Sequence, residues 1–501
     1  CPHGFIALTQ AGTLVICALA VSAQAARGGI EYDSAWPVRT IPVGTAHSGI
    51  STLGGVAFHA PSGSYAVAAA DVAPFYIKEP DPELAARLVE MQLQAAAGDP
   101  ERQAVLAGIT ADQLDPQQAL IPEHKRPEIR TTAAAPLVAR CSVDLLSPVT
   151  WETVDTHAFE DNEHITCMKT LELESRQTAG GRRAFLCVAT AFVLGEDVSS
   201  RGKVYIFDII EVVPLPGRPQ TSRKLKLVCQ DEVRGAITAL GELRGHLAVA
   251  VGSKMYVRSF EDNENLLSVA FLDCQTWVRS LVGMKGFLLI ADMVNSLWFA
   301  GFQEEGPTKV QVLGRDFSNK LPVEAADFLV RGHQMQLLAA DAYGQLHFFL
   351  YAPHDVHSFK GQKLLRRGEF NLHSRVSAIK RLVGRSADAQ QVCLVATAAG
   401  SVMAVSMLDE RTFKRMHRMN TQLVHGVVPL AGLNPREYRA VPLHLRQYHS
   451  PRRTVLDANL LVPMFAHGSV LRQRETAQRV GTTADRVLRD IVSVEQCFAF
   501  T

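Results

Sequence analysis

The alternation of apolar and polar positions between residues 140 and 408 follows one loose pattern that recurs several times. Each copy has a short β-rich run, a polar turn with glycine, a second apolar run, another turn, and a strand rich in Leu, Tyr, Phe and Val. Short runs of this kind, bounded by glycine turns, are typical of β-strands. The pattern therefore predicts a mainly β protein. The second apolar runs of the four clearest copies are His246–Val251, Gly286–Ile290, Met335–Ala339 and Val392–Ala396.

The spacing of the copies indicates how the strands are grouped. Corresponding leucines recur 41, 49 and 57 residues apart, at Leu247, Leu288, Leu337 and Leu394. Such repeats indicate a β-propeller, because a four-stranded blade with two apolar faces must stack on its neighbours. An earlier copy near Phe185–Val188, a hairpin near the N-terminus and the stretch 56–72 bring the count to about seven blades. A β-sandwich, or a pair of small β-domains, is the alternative that the pattern leaves open.

Residues 78–140 break this repeat, because Ala, Gln, Pro and acidic residues dominate there. Lys78–Arg130 holds 6 basic and 10 acidic residues. Asp81-Pro82 is typical of a helix start and Gly98 of a helix stop. We therefore expect an inserted surface loop with one or two short helices.

The apolar run Leu14–Ala20, followed by Ala23-Gln24-Ala25, imitates the core and cleavage site of a signal peptide. It follows Cys1-Pro2 instead of Met and a basic leader, and it is too short to cross a bilayer. We interpret it instead as part of a hairpin with strands at Phe5–Leu8 and Thr13–Cys17. Because no initial Met is present, we expect the chain to be the C-terminal part of a longer protein.

After Leu408 the hydrophobic period changes from two to 3.6, which predicts helices. Phe413, Met416 and Leu423 fall on one helical face, and Thr482-Thr483-Ala484-Asp485 matches a capping box with Thr482 as the N-cap. Two further segments, Arg453–Phe465 and Val470–Val480, also have helical periodicity. The predicted domains are a seven-bladed β-propeller over residues 1–408, with the insert at 78–140, and a small C-terminal α-helical domain over residues 409–501.

Composition narrows the class of protein. The chain has 501 residues, 47% apolar side chains and a formal net charge of +1. This balance excludes a chain that is disordered throughout, a coiled-coil rod and a polyelectrolyte that binds nucleic acid by charge alone. The nine cysteines are never closer than 16 residues, so zinc knuckles of the CxxC type are absent. Scattered cysteines within apolar runs predict buried free thiols in a reducing compartment.

Motifs that would support catalysis or cofactor binding are weak. Gly301–Gly306 has the glycine spacing of a phosphate loop, but Pro307 and Thr308 follow where a lysine is required. His354 and His357 lack a third ligand nearby in sequence, so we interpret their segment as a solvated loop instead of a zinc site. We therefore predict no enzyme activity, no cofactor and no metal.

Several polar residues near strand ends are interpreted as structural. We expect recurring aspartates to bind the backbone N–H groups of turns, and His246 to hydrogen-bond within a turn. The alternative is a catalytic pair of carboxylates along the propeller axis. The aspartates are Asp273, Asp292, Asp327 and Asp341.

Positive charge concentrates at the start of the helical domain. Arg411–Arg453 holds nine Lys and Arg residues against one acid, Glu437. Such a basic face fits RNA phosphates, an acidic protein partner, or solvent, and the residue pattern leaves all three open. The side chains concerned are Arg411, Lys414, Arg415 and Arg418.

One set of segments is distinctive in its amino-acid sequence and in its order along the chain. It comprises Cys1–Phe5, Tyr32–Pro42 (YDSAWPVRTIP), His164–Thr170, Arg201–Lys203, Asp208–Pro214, Leu364–Arg367, Ala431–Arg436, Val455–Asp457 and Gly481–Asp485. Together these segments resemble the family of the large scaffold subunit of the cleavage and polyadenylation specificity factor, over nearly the whole chain apart from 78–140. The damaged-DNA-binding protein large subunit and a U2-associated splicing scaffold share the architecture. Tyr32–Pro37 and Gly432–Arg436 favour the polyadenylation member.

The resemblance implies the third propeller and the helical domain of a non-catalytic nuclear scaffold for pre-mRNA 3′-end cleavage and polyadenylation. The implied partners are a WD-repeat subunit and a CCCH zinc-finger subunit that read the polyadenylation signal, in a hetero-oligomeric complex with pre-mRNA. Zinc would belong to the partner, and no membrane is involved. The alternative is a paralogous scaffold of a DNA-damage ubiquitin ligase or of the spliceosome. The candidate interaction residues are Arg415, Arg418, Asn434, Arg436 and Arg439.

Overall fold

The computed structural model describes most of the repeat region and most of the helical domain. The described residues are 4–8, 13–18, 38–42, 52–74, 137–175, 181–194, 198–214, 222–261, 265–305, 308–317, 321–382, 391–426, 438–441 and 454–498.

The repeat region consists of seven antiparallel sheets within the described residues, each built from strands that are consecutive in sequence. The first sheet holds β1 (Gly4–Leu8), β2 (Thr13–Ala18) and β3 (Val38–Pro42). The second holds β4 (Thr52–His59), β5 (Ser64–Pro74), β6 (Leu137–Leu146) and β7 (Thr153–Asp161). The third holds β8 (Glu163–Glu174), β9 (Arg182–Phe192), β10 (Gly202–Glu211) and β11 (Arg223–Val233).

The remaining four sheets follow the same arrangement. The fourth holds β12 (Ile237–Leu243), β13 (His246–Val251), β14 (Lys254–Glu261) and β15 (Asn265–Asp273). The fifth holds β16 (Val278–Met284), β17 (Phe287–Asp292), β18 (Ser296–Gln303) and β19 (Lys309–Arg315). The sixth holds β20 (Val323–Arg331), β21 (Gln334–Asp341), β22 (Gln345–Leu350) and β23 (Leu365–Asn371). The seventh holds β24 (Val376–Leu382), β25 (Val392–Thr397) and β26 (Val402–Ser406).

The sheets stack in chain order through their first strands, with β4 against β8, β8 against β12, and so on to β20 against β24. From the second sheet to the seventh, each interface encloses an apolar cluster, because the second strand of each of these sheets is largely buried. The strand β13, with the sequence HLAVAV, is buried from Leu247 to Val251. The mainly β fold and the repeat of short strands are thus confirmed, and the serial stacking differs from the two facing sheets of a β-sandwich. Closure of the seven sheets into a ring stays a prediction.

The N-terminal hairpin is confirmed, since β1 and β2 pair antiparallel with Ile6 opposite Ile16. The inserted segment leaves the second sheet at Pro74 and returns at Leu137, and these two residues are paired across β5 and β6. Strand β6 therefore already includes residues 137–140, which the sequence assigned to the insert. The insert's predicted helices lie outside the described residues.

Lys169 of β8 joins three neighbouring sheets together. Its Nζ donates hydrogen bonds to the backbone carbonyls of Leu240 in β12, at 2.8 Å, and of Leu281 in β16, at 3.0 Å. An ammonium group that satisfies carbonyls of two different sheets stabilises their spacing, because a charge-assisted hydrogen bond is stronger than a neutral one.

The described helical domain has four helices around one apolar cluster. Helix α1 (Glu410–His425) follows the last strand closely, and its Met416, Met419 and Leu423 are buried. The other helices are α2 (Ala458–Ala466), α3 (Val470–Val480) and α4 (Ala484–Phe498). The predicted helical segments are confirmed, except that α2 begins at Ala458, after its N-cap Asp457, and not at Arg453. None of the described helices has both the length and the apolar character needed to span a bilayer.

The predicted cap of the last helix is wrong by one residue. Thr483, not Thr482, accepts the capping hydrogen bond, from the N–H of Arg486 at 3.3 Å. The N–H of Thr482 instead donates to the carbonyl of Ala477, so this residue belongs to the end of α3. Gly481, with φ +78°, makes the intervening turn, a backbone conformation that glycine adopts without strain.

Candidate interaction surface

Because the strands of each sheet are antiparallel, several of the turns and connections between them lie at the same end of the stack of sheets. In each four-stranded sheet the start of the first strand, the turn between the second and third strands, and the end of the fourth strand lie at the same end. Backbone hydrogen bonds join these connections. The N–H of Met293 donates to the carbonyl of Trp277 at 3.0 Å, and the N–H of Ala342 donates to that of Pro322 at 3.0 Å. The connections therefore form a continuous arc.

This arc carries a row of exposed large apolar side chains. Trp277 and Phe317 lie in connections between sheets, and Tyr343 lies in the turn between β21 and β22. Tyr438 stacks on His373 at 4.3 Å between ring centroids. We call these four residues, together with Met293 and Val294 of the β17–β18 turn, the aromatic arc. Its members are Trp277, Met293, Val294, Phe317, Tyr343 and Tyr438. Aromatic side chains on a surface are typical of binding sites.

The acidic residues of the arc are occupied by the protein itself. Asp292 Oδ1 accepts from the N–H groups of Val294 and Asn295, each at 2.8 Å. Asp341 Oδ1 accepts from the N–H groups of Tyr343, at 3.0 Å, and Gln345, at 2.8 Å. The predicted turn-stabilising role of these two aspartates is confirmed.

The turn-stabilising role predicted for Asp273 and Asp327 is wrong, because the partners of both lie in strands. Asp327 lies beside Arg381, whose backbone N–H donates to its Oδ2 at 3.1 Å. Burial raises the pKa of Asp327 in spite of that neighbouring charge. Asp273 lies 3.9 Å from Lys254 on the surface. Asp327 lies on β20 and Asp273 on β15, so these two do not form a pair. The four aspartates singled out in the sequence are dispersed over the sheets.

Arginines supply the charge that remains at the arc. Glu324 is nearly buried and binds Arg279 at 3.4 Å and Arg375 at 2.6 Å, while both arginines stay about half exposed. The guanidinium of Arg315 lies 4.6 Å from the ring centroid of Phe317, a cation–π geometry. The arc is thus an aromatic surface with a basic border, which suits a partner with apolar and acidic groups.

Arg415, a predicted interaction residue, is engaged inside the helical domain. Its Nη2 donates to Asp490 Oδ1 at 3.0 Å, and its Nε donates to Oδ2 of the same carboxylate. This bidentate pair raises the pKa of Arg415 and joins α1 to α4. Arg418, on the same helix, is exposed. Its interaction role stays a prediction.

Arg439 instead joins the helical domain to the sixth sheet. Its Nε donates to Asp457, the N-cap of α2, at 3.2 Å, and its Nη1 donates to the carbonyl of Asn371 at the end of β23, at 3.4 Å. Thr454 Oγ1 donates to the carbonyl of Arg367 at 2.6 Å. This junction carries no signal in sequence periodicity, because its members are far apart in the chain. Asn434 and Arg436 lie outside the described residues.

The residues of the weak metal-ligand and histidine motifs have structural roles. Among the residues that the structure describes, no group of three or more His, Cys, Asp or Glu side chains is placed to hold a metal ion. Asp355 caps a 3₁₀ turn, Val356–Ser358, by accepting from the N–H of His357. The hydrogen-bonding role predicted for His246 is wrong for its Nδ1, which is buried without a partner. Its ring packs on Phe302 at 5.5 Å.

Comparison with known proteins identifies the family. A family model described as the CPSF A subunit region matches residues 140–465, which is more than half of the chain. The chain belongs to the CPSF A subunit family. This result confirms the resemblance to the large subunit of the cleavage and polyadenylation specificity factor (CPSF) that the sequence segments carry.

Curated relatives agree with this assignment. "Protein cft1" of Schizosaccharomyces pombe is 27% identical over 511 residues, covering 100% of this chain and 31% of the relative. "Protein CFT1" of Coccidioides immitis is 36% identical over 380 residues, covering 72% of this chain and 27% of the relative. "Cleavage and polyadenylation specificity factor subunit 1" of Drosophila melanogaster is 31% identical over 373 residues, covering 72% and 25%. The chain thus spans less than a third of the length of these relatives.

Proposed function

We propose that this chain acts in the nuclear cleavage and polyadenylation of pre-mRNA 3′ ends, as the last propeller and helical domain of a non-catalytic scaffold. Membership of the CPSF A subunit family and relatives named Cft1 and CPSF subunit 1 support the process. The aromatic arc is the observation that supports the scaffold role, because it offers a broad surface without a catalytic constellation. The partners that we propose are a WD-repeat subunit and a CCCH zinc-finger subunit of the same complex.

The architecture proposed for the repeat region is a closed seven-bladed propeller. Seven sheets that stack in series through their first strands support it, because a right-handed twist in each sheet turns such a stack around an axis. Small-angle X-ray scattering tests the closure. A closed ring gives the profile of a compact disc, and an open arc of sheets gives a longer maximum dimension.

Reconstitution with the two partner subunits tests the scaffold function. The full-length protein that contains this chain is co-expressed with both partners, as wild type, as Trp277→Ala/Tyr343→Ala, and as the control Leu267→Ala. Leu267 is exposed near the start of β15, at the end of that strand opposite the arc. We expect the double variant to lose at least tenfold in affinity for one partner, since central aromatic residues dominate binding energy. Wild-type protein that binds neither partner contradicts the proposal.

Mass spectrometry of the native complex separates the alternatives. Recovery of the polyadenylation subunits supports the proposed function. Recovery of a ubiquitin ligase or of U2-associated splicing proteins instead assigns the chain to a paralogous scaffold. The exposed Arg418, with Arg411 and Lys414 on the same helix, supports a direct contact with pre-mRNA as part of the same proposal.

A further inference from the structure

A second exposed feature lies on the outer side of the fifth and sixth sheets. The connection from β22 to β23 leaves its own sheet and reaches β19 of the neighbouring one. There the N–H of Arg315 donates to the carbonyl of Gln362 at 2.9 Å, and the N–H of Leu364 donates to the carbonyl of Arg315 at 3.0 Å. We call the part between, residues 353–363, the outer knob. None of its residues belongs to the aromatic arc.

The outer knob is rigidly held. Ser358 is fully buried, and its hydroxyl donates to the carbonyl of Asp355 at 2.7 Å and accepts from the N–H of Gly361 at 3.1 Å. Phe359 and Lys360 have φ values of +48° and +59°, which cost free energy for residues with a Cβ. These contacts hold the backbone in that conformation, so little conformational entropy is lost when a ligand binds.

The knob presents its largest apolar side chains to solvent. Val356 is 87% exposed and Phe359 is 66% exposed, more than any other described Phe or Trp. A strained turn that holds Phe359 in solvent buries little apolar surface of this side chain in the core of the protein. Such exposure is typical of a side chain that is buried by a partner.

The charge left unpaired around this apolar pair is positive. His354, His357 and Lys360 are exposed beside it, and Lys363 is partly exposed. Asp355 is the knob's one carboxylate, and it is bound by Arg367 at 3.1 Å and by the N–H of His357 at 2.9 Å. The charges of Lys360 and Lys363 therefore have no free carboxylate on the knob to neutralise them.

We infer that the outer knob is a docking site for an acidic peptide segment of a partner protein, one that places an apolar side chain against Val356 and Phe359. Charge complementarity selects the acidic partner and steers its approach. The apolar pair supplies the affinity through burial. The knob shares no residue with the aromatic arc, although Arg315, which packs on Phe317 of the arc, is also hydrogen-bonded to Gln362 of the knob. The scaffold therefore holds this partner with side chains other than those of the arc.

A peptide-display selection tests this inference on the whole 501-residue chain. A random library of peptides about 15 residues long is selected on wild type and counter-selected on Phe359→Asn/Lys360→Glu. Asparagine tolerates a positive φ, so thermal unfolding should show that the variant keeps its fold. We expect enriched peptides to be rich in Asp and Glu with Phe, Leu or Ile. Their affinity should fall at least tenfold for Phe359→Asn, in line with burial of one large side chain.

Two controls make the result decisive. Phe271→Asn removes a phenylalanine that is 63% exposed on β15 and should leave peptide affinity unchanged, as should Trp277→Ala in the aromatic arc. A 15-nucleotide poly(U) RNA is measured in parallel. Absence of peptides that discriminate wild type from the double variant overturns the inference. Enrichment of peptides without acidic residues, or RNA binding that the double variant abolishes, also overturns it.

Discussion

Gly283 of β16 lies directly against the backbone carbonyl of Glu242 in β12, so closely that a Cβ on the glycine would overlap the carbonyl oxygen. The fourth and fifth sheets meet at this point, near Lys169, which hydrogen-bonds carbonyls of the same two strands. The absence of a side chain at position 283 therefore allows β12 and β16, the first strands of these two sheets, to approach this closely.

Replacing Gly283 with alanine should destabilise the chain. The new methyl group meets backbone, which cannot rotate away, so we expect a loss of roughly 1–3 kcal/mol, measured by urea unfolding. Gly55→Ala is the matched control, because Gly55 lies in β4 and a Cβ at this position would meet no atom within 4 Å. That variant should stay within about 0.5 kcal/mol of wild type. Equal effects of the two variants would contradict close packing at Gly283.

Arg415 and Arg418 should respond differently to substitution. Arg415→Ala removes the bidentate partner of Asp490 and should lower the free energy of unfolding by about 1–3 kcal/mol, because Asp490 stays largely buried. Arg418→Ala should change stability by less than about 0.5 kcal/mol. If Arg418 contacts RNA, Arg418→Ala should also flatten the salt dependence of RNA binding. A stability loss confined to Arg418→Ala would reverse these assignments.

Asp144 should make the fold less stable as pH rises. Burial raises the pKa of Asp144, although Thr156 donates to its carboxylate at 2.8 Å. The folded state therefore binds this proton more tightly than the unfolded state, whose aspartate pKa is about 3.9. Stability contributed by the protonated form is present below that pKa and is lost as pH rises through the folded pKa.

The substitution Asp144→Asn isolates this effect. Asparagine keeps an acceptor for Thr156 without the charge, so the variant should be more stable than wild type at pH 7. Its advantage should vanish at acid pH, as followed by thermal unfolding across the pH range. Asp273→Asn is the exposed control and should be close to wild type throughout. A variant that is less stable than wild type at pH 7 would refute the assignment.

Two buried cysteines should resist alkylation. Desolvation raises the pKa of Cys274 and of Cys393 to about 12, so few thiolates form at pH 8, and the thiolate is the reactive species. Iodoacetamide followed by peptide mass mapping should leave both unmodified in the native chain. The same peptides should be labelled in guanidinium chloride. Rapid labelling of either cysteine without denaturant would show that the structure around it opens.

The strand repeat was predictable because it depends on local chemistry. Runs such as His246–Val251 and Met335–Ala339 are apolar enough to be buried on both faces, and glycine turns separate them from the next strand. The four helices were predictable for the same reason, since apolar residues such as Met416 and Leu423 recur with the 3.6-residue period of a helix. The cap at Thr483 was missed because the capping-box spacing points to Thr482, which has Asp485 three residues later, whereas Thr483 has Arg486 there.

The interaction surfaces were not predictable in this way. Arg415 and Arg418 are alike in sequence, and only the fold brings Asp490 to one of them, from 75 residues away. The aromatic arc and the outer knob likewise join side chains from separate connections, whose meeting depends on strand topology. Periodicity and composition determined that the chain forms short strands followed by helices, because burial of apolar faces is decided within a few residues. Which charges pair and which aromatic residues stay in solvent was decided by tertiary packing, because electrostatic and hydrophobic contacts act between groups close in space, however far apart they lie in the chain.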